Sequence, residues 1–136
     1  MNTRGKREAR PVTGAILVVD DDAVVLDICR LLLKNLGFAV LSASGAMQGL
    51  DLYRERKSGI AAALIDLTMP SMGGLDLVRE LRLINPDIKV VLMSGYCEEV
   101  ILSDFAAENI GGFLQKPFKI GELRLIFKEL LDNSHK

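Results

Sequence analysis

Short apolar runs alternate with amphipathic segments along almost the whole chain, and this alternation limits the folds open to it. The runs are too brief for helices and rich in Val, Ile and Leu, so they predict buried strands. They cover 15–19 (AILVV), 38–42 (FAVLS), 61–65 (AAALI), 88–93 (IKVVLM) and 111–115 (GGFLQ). Strands alternating with helices at such short spacing predict an α/β domain, a doubly wound sheet of five parallel strands with helices on both faces.

The segments between these runs have helical periodicity and recognisable ends. Between Asp22 and Leu36, apolar residues recur every three or four positions, and Gly37 supplies a C-terminal stop. Asp22 itself is predicted to be the N-cap of this helix. The predicted helices cover 22–36, 45–57, 75–84, 97–108 and 120–131.

Length and composition indicate one globular domain. A chain of 136 residues with 49% hydrophobic and 26% charged residues can bury a real core and is unlike a disordered chain. The net charge of −1 leaves no basic surface for nucleic acid. No run of 18 apolar residues exists that could span a membrane. We therefore expect neither direct nucleic-acid binding nor membrane insertion.

The two ends of the chain are predicted to be tails around one folded domain. Residues 1–13 form a flexible basic tail, 14–132 the domain, and 133–136 a short C-terminal tail. The N-terminal residues are charged with no apolar segment behind them, unlike a secretory signal. Cys29 and Cys97 lack the spacing of a metal site, so we expect free thiols in the reducing cytoplasm.

Polar side chains follow four of the five predicted strands. The stretch LVVDDD places Asp20 and Asp21 after the first strand, and Asp66 follows the third. The fourth strand leads to Ser94 and the fifth to Lys116. Ligands of open parallel sheets bind outside the carboxyl ends of the strands, so these side chains are expected to meet there.

Three carboxylates at one edge repel one another unless a cation joins them. Capping of the next helix explains only one aspartate of the DDD stretch. Three carboxylates with an open face suit Mg²⁺, which prefers oxygen ligands and keeps waters that a phosphate can replace. A hydroxyl and an ammonium beside that metal are what phosphoryl transfer requires. The pattern predicts a magnesium-dependent phosphoryl site.

Four motifs at the strand ends resemble those of the receiver domain of bacterial two-component response regulators. In chain order they are ILVVDDD, LIDLTMP, VVLMSG and FLQKPF, and the resemblance covers residues 14 to 132. It implies the flavodoxin-like strand order 2-1-3-4-5. It also implies that Asp66 accepts a phosphoryl group from a phosphohistidine of a histidine kinase in a two-component phosphorelay. The domain would then switch its partner-binding surface.

The resemblance implies a role for each matching residue. Asp21 corresponds to a direct ligand of Mg²⁺ or Mn²⁺, and Asp20 to the acid that holds the metal through water. Asp66 joins them as a ligand, and the backbone carbonyl of Thr68 completes the protein's share of the coordination.

Five further positions match the family pattern beside the metal ligands. Ser94 corresponds to the hydroxyl that moves towards the phosphoryl group, and Lys116 to the cation that pairs with it. Phe113 occupies the position of an aromatic switch residue. Pro117 follows the lysine, where the bond is expected to be cis. Tyr96 would border the phosphoryl pocket.

The resemblance also implies partners. The donor would be a histidine kinase or a histidine phosphotransfer protein. Because few residues follow the last predicted helix, we expect the output to go to a separate effector protein or to other domains of the same kinase chain. MSGYCEE with GGFLQKPF is similar to C-terminal receivers of hybrid histidine kinases. A phosphorylation-dependent homodimer is compatible with the family. Such a domain is not an enzyme with a metabolite substrate; it catalyses its own phosphorylation and slow dephosphorylation.

Parts of the sequence also fit two other interpretations. ILVVDDDAV also fits the first motif of haloacid-dehalogenase phosphatases, with Asp20 as nucleophile and Asp22 as general acid. That class needs another acidic pair after a strand beyond the lysine, where this chain has only a helix, and it leaves IDLTMP unexplained. A degenerate receiver that serves only as a scaffold conflicts with the intact acids and lysine.

Overall fold

The strands and helices of the computed structural model follow the predicted alternation. It describes residues 14–69, 72–95 and 110–133. The strands are β1 (Ala15–Val19), β2 (Ala39–Ala43), β3 (Ile60–Asp66), β4 (Lys89–Ser94) and β5 (Gly112–Gln115). The helices within the described residues are α1 (Ala23–Asn35), α2 (Ala46–Arg56), α3 (Gly74–Ile84) and α4 (Ile120–Asn133). A short 3₁₀ turn, Lys57–Gly59, leads into β3.

All the strands lie in one parallel sheet of order β2-β1-β3-β4-β5. This is the order 2-1-3-4-5, so the predicted flavodoxin-like topology is confirmed. The central strands β1 and β3 are neighbours although about forty-five residues separate them in the chain, with Val19 opposite Ile65. The last residues of these two strands therefore lead to the same point of the sheet edge.

Two apolar cores, one on each face of the sheet, confirm the doubly wound architecture. Alternate residues of β1 point to opposite faces. Ile16 packs in one core with Cys29 of α1. Leu17 packs in the other core with Leu77 of α3. Because both faces are covered, β1 is apolar throughout rather than alternating with polar residues.

Helix α1 begins and ends as its sequence predicts. The Asp22 carboxylate accepts a hydrogen bond of 2.9 Å from the Val24 N–H, which makes Asp22 the N-cap. At the other end Gly37 has a φ of 100°, a conformation that L side chains rarely adopt. The helix therefore stops where the chain must turn into β2.

Several predicted bounds shift by one residue or fall outside the described chain. Strand β2 covers Ala39–Ala43 instead of 38–42, and β3 extends to include Asp66. The fifth strand was predicted to begin at Gly111, whereas β5 begins at Gly112. Asn133, predicted to open the C-terminal tail, is the last residue of α4.

Some predictions fall outside the described residues. They concern the tail over 1–13, Tyr96, Cys97, the helix over 97–108 and residues 134–136. Within the described ranges, no helix is long and apolar enough to cross a membrane.

Candidate functional site

The backbone at the carboxyl edge of the sheet places the predicted site residues next to one another. The Asp20 N–H donates to the Ala43 carbonyl over 3.2 Å and extends the pairing of β1 with β2. On the other side, the Lys116 N–H donates to the Ser94 carbonyl over 2.7 Å, beyond the end of β5. Asp66 is the last residue of β3. Regular strand pairing, rather than a loop, therefore sets the positions of these residues.

Three carboxylates meet at this edge. Each of Asp20, Asp21 and Asp66 offers one oxygen, and these oxygens all lie within 4.8 Å of one another. Asp20 is fully buried and Asp66 is 4% exposed, whereas Asp21 is exposed. Burying carboxylates this close together is unfavourable unless positive charge or hydrogen bonds accompany them.

Lys116 provides that positive charge. Its Nζ donates to Asp20 Oδ2 over 2.8 Å and to Asp66 Oδ1 over 3.1 Å. The Asp22 N–H donates to Asp20 Oδ1 over 2.9 Å, so both oxygens of Asp20 are engaged. Within the described residues, the hydrogen bond that Asp66 accepts from Lys116 uses Oδ1.

The ionisation of these groups reflects their confinement. Burial raises the pKa of Asp66, and the charges of Asp20 and Asp21 raise it further, although the hydrogen bond and charge of Lys116 oppose this shift. For Lys116, burial favours the neutral amine, but hydrogen bonds to Asp20 and Asp66 and the charges of both acids outweigh it and raise the pKa. The ammonium of Lys116 therefore stays charged, whereas burial favours the protonated form of Asp66 relative to an exposed carboxyl.

An open cavity of about 500 Å³ adjoins the carboxylates. Its described lining is Asp20, Asp21, Asp22, Asp66, Thr68, Gly95 and Lys116. The opening is large enough for a hydrated cation together with a phosphoryl group. The donor set is all oxygen and mostly anionic, which suits a hard cation with retained waters. The acidic triad is therefore consistent with a Mg²⁺ site.

The other predicted site residues lie around the three carboxylates rather than among them. Ser94 ends β4 and is buried at 1% exposure. Phe113 is half-buried and packs against the core on the α3 face of the sheet. The Lys116–Pro117 peptide bond is cis, the form predicted from the sequence.

Sequence reasoning did not find one feature of the site. It placed Lys116 beside a metal, whereas the structure shows its ammonium bridging Asp20 and Asp66 directly. These contacts depend on distances between strands, which no local pattern carries. Gly95, which follows Ser94 at the end of the fourth strand, lines the cavity.

Comparison with known proteins agrees with this geometry. The family "Response regulator receiver domain" matches residues 16–128. The chain is 36% identical over 117 residues to the "Sensor kinase CckA" of Brucella abortus, covering 86% of this chain and 12% of the kinase. The first three curated relatives are matched over only 12%, 23% and 26% of their own lengths, so the chain corresponds to one part of longer proteins.

Solved structures show the same fold. A response regulator receiver domain from Clostridium thermocellum superposes with a TM-score of 0.83 at 27% identity, covering 90% of this chain and 97% of that one. A sensor protein from Polaromonas superposes with a TM-score of 0.81 at 28% identity, covering 88% and 97%.

The fold and the acidic edge define a phosphoacceptor signalling module rather than a classical enzyme. The chain belongs to the response regulator receiver domain family of two-component phosphorelays. Its acidic pocket of Asp20, Asp21 and Asp66 serves phosphoacceptance. The family match therefore excludes the haloacid-dehalogenase phosphatase interpretation.

Proposed function

We propose that Asp66 is the residue that accepts the phosphoryl group, from a phosphohistidine and in the presence of Mg²⁺ or Mn²⁺. The contrast between the two buried acids carries this proposal. Asp20 has both oxygens engaged, by Lys116 and by the Asp22 N–H. Among the described residues, Lys116 engages one oxygen of Asp66, and we assign the other oxygen as the nucleophile.

The metal site follows from the same arrangement. Asp21, exposed at the cavity, and Asp66 are the direct carboxylate ligands in this proposal. Asp20 would hold the ion through water, because Lys116 already binds its carboxylate. Thr68 lines the cavity and would contribute its backbone carbonyl. The bound cation supplies positive charge to the phosphoryl oxygens and to the acids around them.

The transfer to Asp66 is an in-line displacement at phosphorus. Oδ2 of Asp66 forms a bond to phosphorus as the bond between phosphorus and the donor imidazole nitrogen breaks, and the electron pair of the broken bond stays on that nitrogen. Lys116, 3.1 Å from Asp66 Oδ1, stabilises the charge of the phosphoryl oxygens. The strand pairing that holds both residues lowers the entropic cost of alignment.

Phosphorylation then changes the balance of charge at the edge. The added phosphoryl group brings up to about two negative charges. These draw Lys116 away from Asp20 and bring the Ser94 hydroxyl, at the end of β4, towards the phosphoryl oxygens. Phe113, on the adjoining strand β5, responds as the switch residue. The signal is thereby passed to the surface next to β5.

An apolar groove beside the site is suited to the donor. It has a volume of about 290 Å³ and is lined by Val25, Ile28, Lys116, Pro117 and Phe118. Next to it Val24 and Leu31 of α1 are 64% and 65% exposed. A helix of a histidine kinase or histidine phosphotransfer protein would cover these side chains and bring its phosphohistidine to the cavity.

The wider setting completes the proposal. The similarity to a sensor kinase supports a receiver that works with other domains of one kinase chain. Output to a separate effector and a cytoplasmic location are further elements of the proposal. Direct contact with nucleic acid or membrane is not part of it. Homodimerisation after phosphorylation is a further element of the proposal.

The test is phosphorylation of the whole chain by acetyl phosphate with Mg²⁺, followed by intact-mass spectrometry. We expect a single phosphoryl adduct that is labile to hydroxylamine, absent after chelation and absent in Asp66→Asn. Asp51→Asn, at an exposed ion pair with Arg54, is the matched control and should be phosphorylated normally. An adduct that persists in Asp66→Asn, or that maps to Asp20, contradicts the proposal.

A further inference from the structure

The first residue of α3 touches the backbone that carries the proposed phosphoacceptor. The Gly74 N–H donates to the Leu67 carbonyl over 3.0 Å. A Cβ atom at Gly74 would clash with the Asp66 carbonyl oxygen and would lie 2.8 Å from the Leu67 Cα. Helix α3 therefore abuts the end of β3 with no room for a side chain.

Other close glycines of the described chain meet side chains, or meet backbone at the amino ends of the strands, away from the acidic edge. A Cβ at Gly49 would meet a side-chain methyl of Val19. Gly73, one residue before Gly74, has its nearest neighbour at 3.7 Å, an ordinary contact. At Gly74 the obstacle is peptide backbone on the strand of the site, so either the helix start or the Asp66–Leu67 peptide must move.

That peptide sits between the groups on which phosphoacceptance depends. Asp66 precedes it and lies 3.1 Å from the Lys116 ammonium. Thr68, one residue beyond it, lines the same cavity. A displacement of this peptide therefore moves Asp66 relative to the other two acids of the triad.

We propose that Gly74 is a positioning residue for the phosphoacceptor site: its missing side chain lets α3 seat the Asp66–Thr68 segment where Lys116 and a cation can share Asp66. This rests on the proposed role of Asp66. Gly74 touches neither the cation nor the phosphoryl group and acts only through the backbone contact.

The test compares Gly74→Ala with Gly73→Ala in the whole chain. Divalent-cation affinity is measured with MgCl₂ alone, from the Mg²⁺-dependent shift of the urea midpoint and by calorimetry. Phosphorylation is measured with acetyl phosphate at saturating Mg²⁺. Amide chemical shifts of the metal-free proteins report where the backbone has moved.

A displacement of the order of an ångström costs about 100-fold in rate, so a smaller one should cost about 10-fold. We expect Gly74→Ala to weaken Mg²⁺ binding by about 10-fold, as changes to groups that orient metal ligands do. Phosphorylation should slow by about 10-fold, with amide shift changes centred on residues 66–68. Gly73→Ala should change both by less than about 2-fold, since its Cβ has an ordinary contact.

The outcomes separate this inference from the proposed function. Wild-type affinity in Gly74→Ala overturns the positioning role, even if the variant is less stable, because a merely structural residue changes stability without changing the site. A variant that fails to fold even in trimethylamine N-oxide also overturns it. If the wild-type chain itself is not phosphorylated, the proposed function fails, and the Mg²⁺ affinities still decide the role of Gly74.

Discussion

Replacing Lys116 by methionine should uncover the cost of holding two buried carboxylates side by side. The change keeps most of the apolar stem and removes the ammonium that bridges Asp20 and Asp66. The two acids then face each other with side chains only 1% and 6% exposed. No other described basic side chain forms an ion pair with them.

The expected loss can be set from the burial of the partners. Removing one member of a buried ion pair costs about 3–5 kcal/mol, because an uncompensated charge remains. Lys116 is 26% exposed and borders an open cavity, so water replaces part of its effect. We expect the free energy of unfolding to fall by about 2–3 kcal/mol at pH 7, which is a large share of a typical domain's stability.

Urea unfolding in EDTA measures this loss, with Lys128→Met on the exposed face of α4 as the matched control. The control should stay within about 0.5 kcal/mol of wild type. Adding Mg²⁺ should stabilise Lys116→Met more than wild type, because the cation then neutralises acids that have lost their ammonium. A loss no greater than that of the control would refute the reasoning that Lys116 neutralises the buried pair.

Three other predictions concern the same edge of the sheet. Asp21→Asn should abolish Mg²⁺ binding, measured by calorimetry. It should leave the urea midpoint in EDTA unchanged or higher, because it relieves the repulsion between Asp21 and the other acids. An unchanged affinity for Mg²⁺ would place the metal elsewhere. The pKa of Asp66 is raised from 3.8 chiefly by burial, so the folded chain holds that proton more tightly than the unfolded chain. The free energy of unfolding in EDTA should therefore fall as the pH rises from 3.8 through the raised pKa of Asp66. Asp66→Asn should lack this pH-dependent loss of stability. Parallel pH profiles for the two proteins would show that Asp66 ionises normally. If Phe113 is a switch, hydrogen exchange over residues 112–115 should differ between the free and beryllofluoride-treated protein, and identical protection would leave it a core residue.

The arrangement of the strands was predictable because each apolar run is short and each is followed by a helix. That arrangement predicts that Asp20 and Asp66 lie at the same edge, since the carboxyl ends of parallel strands share one edge, and the family resemblance implied that their two strands are neighbours. The N-cap role of Asp22 was also predictable, because a strand and an amphipathic helix flank it on either side.

What could not be predicted depends on distances across the sheet. The sequence does not tell which of two adjacent glycines, Gly73 or Gly74, lies against the backbone of β3. It does not show that Lys116 bridges both buried acids, because that contact joins residues 96 and 50 positions apart. Nor does an apolar strand reveal how far the ring of Phe113 is buried.

The three aspartates after β1 are chemically identical, yet the structure makes them non-interchangeable. Asp20 is sealed against Lys116, Asp21 faces the cavity, and Asp22 caps α1. A deletion of one residue from this tract would leave two aspartates in place, and the altered sequence would still look like an acidic strand end. One of the three tasks would nevertheless go unfilled, so the tract is sensitive to its length as well as to its chemistry. Insertions and deletions between β1 and α1 should therefore be tolerated less well than most single substitutions on the surface of the domain.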